Sequence, residues 1–258
     1  MIPDSHSHLD LIEEDTGALV ASAREAGVSP IITIGITISS SVEALKAATA
    51  HKGVYASVGI HPNDTEELAG DELDRLAELA TSSDRVVAIG ETGLDYYRER
   101  ASGRRQQDAF RAQIRLAKRI GKPVIVHDRE AHEDALRVLA EEAGGEVPVI
   151  LHCFAGGREV LEECVKRGYY ISFAGPITFK KSEAARELSR LVPDDRLLCE
   201  TDSPFLSPEP FRGRPNVPAR VVYVAATLAQ ARSITPEEME AMLARNASAA
   251  FGIRLEGT

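Results

Sequence analysis

VVAIGETGLDYYRERASGRRQQDAFRAQIRLAKRIGKPVIVH, residues 86–127, decides how the whole chain is read. Its two ends, VVAIG and PVIVH, are near-continuous apolar runs rich in β-branched residues, the pattern of strands covered on both faces. Between them, Arg104–Ile120 carries apolar residues at helical spacing. Strand, helix and strand in that order imply a parallel pair, because parallel strands need a long connection. The alternation continues in both directions. Strands are expected at Ile2–His8, Ser29–Ile36, Val54–His61, Arg85–Glu91, Pro123–His127, Val147–His152, Tyr169–Ala174 and Arg196–Asp202. Helical patterns fill Thr16–Ala26, Ser40–Ala50, Glu66–Thr81, Arg104–Ile120, Ala131–Ala143, Arg158–Arg167, Ser182–Leu191, Pro218–Arg232 and Pro236–Phe251. The last has Thr235 as its expected N-cap and Pro236 at the first helical position.

Eight βα units in 258 residues match a (β/α)8 TIM barrel: one domain over 1–258, with C-terminal helices at 218–251 closing it. An open doubly wound sheet shares the alternation, but no GxGxxG turn follows the first strand, which removes its commonest form. The composition, 43% hydrophobic and 27% charged, excludes intrinsic disorder and fibrous repeats. Three cysteines are too few for a disulfide framework and fit a reducing compartment. Neither a signal peptide nor an apolar run long enough to span a bilayer is legible, so a cytoplasmic, soluble protein without membrane contact is expected.

The residues ending the strands carry the chemistry. The first strand ends in His6 and His8, the third in His61, the fourth in Glu91, the fifth in His127, the sixth in His152 and the eighth in Asp202. All strand C-termini of a parallel barrel emerge on one face, where barrel enzymes place their active sites. His6 and His8, two apart, point the same way, inward at the mouth. Four histidines and two carboxylates form a mixed nitrogen and oxygen set suited to divalent ions. Six candidates exceed one tetrahedral site, so two ions are expected, with Glu91 between them. His6, His8, Glu91 and Asp202 are assigned to one, and Glu91, His127 and His152 to the other. Asp202 also suits a general base that takes the proton of a water. His61 is read either as a ligand to a third ion or as a donor to a substrate oxygen. Asp10 and Asp95 are candidates for holding ligand imidazoles in place. The ion identity, Mg²⁺, Mn²⁺ or Zn²⁺, is open.

Net charge is −10, yet the loops after strands four to eight carry Arg98, Arg100, Arg104, Arg105, Arg129, Arg158, Lys180, Lys181, Arg212 and Arg214. Cations on half of the rim of an acidic protein suggest a polyanionic substrate steered to that half. Tyr96, Tyr97, Phe154, Phe179, Phe205 and Phe211 lie in or beside these loops, where they could stack unpaired bases.

DSHSHLD (4–10), VGIHP (58–62), IGETGLDYY (89–97), PVIVHDREA (123–131), LHCFAGG (151–157), ISFAGPITFKK (171–181), LLCETDSPFLSPEPFRGRPNVP (197–218) and RNASAAFGI (245–253) together resemble the TatD-type metal-dependent deoxyribonucleases, within the wider amidohydrolase-like metal barrels. The resemblance runs from end to end in order. It implies a (β/α)8 barrel with two, sometimes three, divalent ions that cuts phosphodiesters in DNA, often as a 3′→5′ exonuclease on single strands, with no obligate protein partner. The family's ligand positions fall on His6, His8, Glu91, His127, His152 and Asp202. His61 and Arg129 match positions associated with phosphate contact or a third ion. Phosphotriesterase-like relatives bridge their metals with a modified lysine; here no lysine ends a strand and Glu91 takes that place. Asp128 stands where the family often has serine. An amidohydrolase, or a hydrolase of aminoacyl esters of tRNA, is the alternative on the same ligands, since activated water attacks carbonyls equally well. A non-catalytic barrel is disfavoured because structural metal sites are closed and cysteine-rich.

Overall fold

A computed structural model describes residues 1–66, 70–98 and 100–254. Eight parallel strands follow one another around a single sheet in chain order: β1 (Ile2–Ser7), β2 (Val28–Ile34), β3 (Val54–Val58), β4 (Val86–Asp95), β5 (Val124–Arg129), β6 (Val149–Leu151), β7 (Tyr170–Phe173) and β8 (Leu197–Cys199). Helices α1 (Thr16–Glu25), α2 (Ile38–Ala50), α3 (Gly70–Thr81), α4 (Gly103–Ile120), α5 (His132–Glu142), α6 (Arg158–Lys166) and α7 (Glu183–Leu191) form the crossovers. After β8 come α8 (Val221–Arg232) and α9 (Pro236–Phe251). The expected TIM barrel is the observed fold. No helix among the described residues is long and apolar enough to cross a membrane.

The helix expected from Glu66 enters at Gly70, and residues 67–69 and 255–258 lie outside the described set. The last helix starts as anticipated: Thr235 accepts the N–H of Glu238, the Glu238 carboxylate accepts that of Thr235, and Pro236 opens the first turn. Pro218–Arg220 form a short 3-10 turn before α8 rather than part of it. Strands β3, β6 and β8 are shorter than the apolar runs suggest, so His61, His152 and Asp202 stand on the loops just beyond them. β4 is longer, running four residues past Glu91 to Asp95 in register with Arg129.

The barrel closes between its first and last strands. The Asp202 N–H donates to His6 O at 2.9 Å and the His8 N–H to Ser203 O at 2.7 Å. Below them, buried Asp4 accepts the Thr201 N–H at 2.8 Å and its hydroxyl at 2.6 Å. Burial pushes the Asp4 carboxyl up to about 8 against these donors.

Two apolar cores lie on either side of the strands. The larger fills the space between sheet and helices. The smaller lies inside the barrel, where Ile32, Ile34, Ile125, Ile150 and Leu198 meet Ala247, Ala250 and Phe251 of α9. The inward face changes character two residues further along several strands: Ile125 is followed by His127, Ile150 by His152, Leu198 by Glu200.

Candidate metal centre

Glu91 occupies the middle of the site because of a local irregularity in β4. Between the pairs Ile89↔Val124 and Thr92↔Val126 the register shifts, three steps along β4 answering two along β5. Such a bulge re-aims a side chain. The flanking glycines of GETG make it feasible. Gly90 (φ +137°) and Gly93 (φ +141°) lie so close to β5 that an added Cβ would fall 2.4 Å from Ile125 O and 2.0 Å from His127 O. The buried Glu91 carboxylate thus enters the mouth with its two oxygens facing different groups.

Oε2 faces His6 Nε2 at 3.4 Å and His8 Nε2 at 3.6 Å. Those two nitrogens are 3.3 Å apart, and Asp202 Oδ1 lies 3.7 and 3.5 Å from them. Donor atoms held 2.0–2.2 Å from a tetrahedral ion are separated by about 3.4 Å, so these five distances have the size of coordination edges. Oε1 lies 2.7 Å from His127 Nδ1, 2.9 Å from His152 Nε2 and 3.6 Å from His61 Nε2. His127 and His152 present nitrogens 3.3 Å apart. Glu91 faces both groups of the division read from the sequence, but the donor atoms also gather across it, His152 with His6 and Asp202, and His61 with Glu91 and His127. His6 and His152 stack at 4.0 Å across the division.

Charge supports the same fit. Glu91, Asp202, Asp95 and Glu200 are all buried at this end of the barrel. Burial raises the Glu91 and Asp202 carboxyls, but neighbouring imidazoles overcome it and hold both below the usual carboxylate range. Conversely, burial lowers His8, His127 and His152, and the carboxylates pull all three above the ordinary histidine value. Buried carboxylates demand positive charge, which protons on imidazoles or divalent ions can supply.

Surrounding groups fix the rings. Asp95 Oδ2 lies 3.3 Å from His127 Nε2 and also accepts the Asn63 amide at 3.0 Å, while Oδ1 accepts the N–H groups of Tyr97 and Arg98. This turns Nδ1 of His127 toward Glu91. Asp10 stands on the exposed turn after β1, and His8 Nδ1 has no hydrogen-bond partner, so Asp10 acts on His8 through charge alone. The carboxylate that sequence reading passed over is Glu200: its Oε1 lies 3.2 Å from His152 Nδ1 and accepts the Cys153 N–H at 2.7 Å. Its signal was position, two residues beyond Leu198 on the inward face.

Two glutamines on the apolar stripe of α4 were passed over as well. Gln113 accepts the Ile60 N–H at 2.8 Å and donates to Ile60 O at 2.9 Å, pairing like a strand with the residue before His61. Gln106 does the same for Asp95, at 2.8 and 3.0 Å.

His61 accepts the Asn63 N–H at Nδ1, 3.1 Å away, and burial pushes its value down to about 3. A neutral ring accepting at Nδ1 carries its proton on Nε2. Arg129 lies over the Tyr97 ring at 4.0 Å and lines the cavity of about 240 Å³ at the mouth, as do Arg98, Arg100 and Phe205. Asp128 does not line it; its carboxylate holds His132 at 2.7 Å. Arg212 covers the Phe179 ring at 4.4 Å instead of facing the cavity, and Lys180, Lys181 and Arg214 do not line it either.

A parallel eight-stranded barrel with imidazoles and carboxylates converging at its mouth defines a metal-dependent hydrolase of the barrel class. Residues 3–252 match the TatD related DNase family, and the chain belongs to it. It is 39% identical to YabD of Bacillus subtilis, named an uncharacterized metal-dependent hydrolase, over 98% of this chain and all of that one. It is 34% identical to a 3′-5′ ssDNA/RNA exonuclease, TatD of Citrobacter rodentium, over 94% of each. The crystal structure of YjjV, a TatD homologue of Escherichia coli, superposes with a TM-score of 0.92 at 30% identity, covering 98% of each chain.

Proposed function

We propose that the chain hydrolyses phosphodiesters of DNA, removing nucleotides from the 3′ end of single strands with two divalent ions. The observation that carries this reading is the double-facing Glu91 carboxylate beside a wall of arginines. His6, His8, Glu91 and Asp202 would hold one ion, and Glu91, His127 and His152 the other. Bound there, divalent ions bring the pKa of water toward neutrality and offset charge on the phosphoryl oxygens. Asp202, ionised at neutral pH, takes the proton of the attacking water. His61, neutral with its proton on Nε2, donates to a phosphoryl oxygen; this favours the substrate role over ligation of a third ion. Arg129, steadied on Tyr97, pairs with phosphate, and the arginine wall favours this substrate over amides or aminoacyl esters.

The test is incubation of the purified chain with Mg²⁺ or Mn²⁺ and end-labelled single-stranded DNA, beside a Glu91→Ala/Asp202→Ala double variant. Stepwise shortening from the 3′ end by the wild type alone is the expected result. Absence of cleavage above the variant overturns the proposal.

A further inference from the structure

The walls of the cavity differ in kind. In the barrel order β8, β1 and β2 are neighbours, and the loops after them supply Phe205, Leu11 and Ile36. The opposite side, built by the loop after β4 and the end of β5, supplies Arg98, Arg100 and Arg129, three cations against the carboxylate of Asp64 beside Arg100. Phe205 is 50% exposed, although its backbone is fixed. Its N–H donates to Asp202 O at 2.8 Å, and its ring stands edge-on to His8 at 6.0 Å. The next residue, Leu206, is left-handed (φ +51°), and its carbonyl packs so closely on Gly175 that a Cβ there would fall 1.8 Å away. A half-exposed aromatic ring on a fixed backbone beside a polar cavity gains nothing from that exposure in the protein itself. What matches one cationic wall and one apolar wall, with the reacting groups between them, is an anion carrying a flat apolar face.

Resting on the nuclease reading above, we infer that Phe205, with Leu11 and Ile36, forms a shelf for the terminal nucleobase while the arginine side receives the phosphate chain. Phe205 then determines specificity: it selects an end whose base is unpaired and free to stack, and an end lacking a base binds poorly. A duplex end, whose bases are stacked on one another, cannot lay its last base on this ring without opening.

The test measures binding by fluorescence anisotropy, with Mg²⁺ present, of a single-stranded oligonucleotide whose 3′-terminal linkage is a cleavage-resistant phosphorothioate. A second probe is identical except for an abasic terminal residue. The wild type is expected to favour the base-bearing end by about tenfold, as one stacked base warrants. In Phe205→Ala the ratio falls to about twofold or less, and Phe205→Trp restores it. A ratio unchanged in Phe205→Ala, or no preference in the wild type, overturns the shelf. An all-phosphodiester oligonucleotide is followed in parallel: binding preference without cleavage overturns the nuclease reading alone, and cleavage with a preference indifferent to Phe205 overturns the shelf alone.

Discussion

The two ends of the barrel interior are made by the same strands and could hardly differ more. The lower end is hydrocarbon, where Ile125, Ile150 and Leu198 close against Phe251. The upper end, two residues along the same faces, holds His127, His152 and Glu200. Strain is divided the same way. Five non-glycine residues among those described have positive φ, and four of them, Glu130, Cys153, Asp202 and Leu206, lie on loops at the mouth. Each left-handed residue of this kind costs about 1–3 kcal/mol and persists only where the surroundings over-determine it. Stability is supplied below so that unfavourable conformations and crowded charges can be held above.

That contrast can be broken most strongly from below. Phe251→Ala, which removes a buried aromatic from the lower core, is expected to cost about 3–5 kcal/mol of stability. Thermal melting should show the loss while activity per folded molecule stays unchanged; an inactive but stable variant would contradict the division. From above, Asp95→Asn keeps Oδ1, which caps Tyr97 and Arg98, and replaces the oxygen facing His127. Cation affinity or activity should fall about 10–100-fold, as when groups orienting metal ligands are removed. Melting should show only the loss of the buried Asn63–Asp95 hydrogen bond, about 1–3 kcal/mol. The smallest effect belongs to His132. Its hydrogen bond to Asp128 raises its affinity for protons over that of the unfolded chain. The pair's contribution is therefore fully present below about pH 6.5 and is lost as pH rises through the raised folded value. The side chain is one-third exposed, so the contribution is under about 1 kcal/mol. Between pH 6 and pH 9 the wild type should lose stability relative to Asp128→Asn by no more than that amount, as paired melts at the two pH values would show.

The strand-end histidines were legible because a parallel barrel fixes which end of each strand carries chemistry, and period two fixes which way its residues point. That rule sufficed to bring His6, His8, His127, His152 and Asp202 to one mouth, whereas the orientation of Glu91 depended on the bulge as well. Other features depend on three-dimensional offsets that no linear pattern encodes. The bulge that turns Glu91 inward shows only as two glycines flanking a carboxylate. Glu200 stood beside Asp202, which already completed the ligand set, and its partner His152 is 48 residues away. Gln106 and Gln113 read as interruptions of an apolar stripe, and their meaning lies in backbone groups of other strands. Asp10 failed in the opposite direction: near His8 in sequence, it sits on a turn that carries it into solvent.

Closure between the first and last strands bears on how the protein is made. Ser7 and Ser203, joined across that seam, are 196 residues apart. A ribosome must therefore release more than three-quarters of the polypeptide before the final carboxylate can reach the imidazoles waiting near the amino terminus.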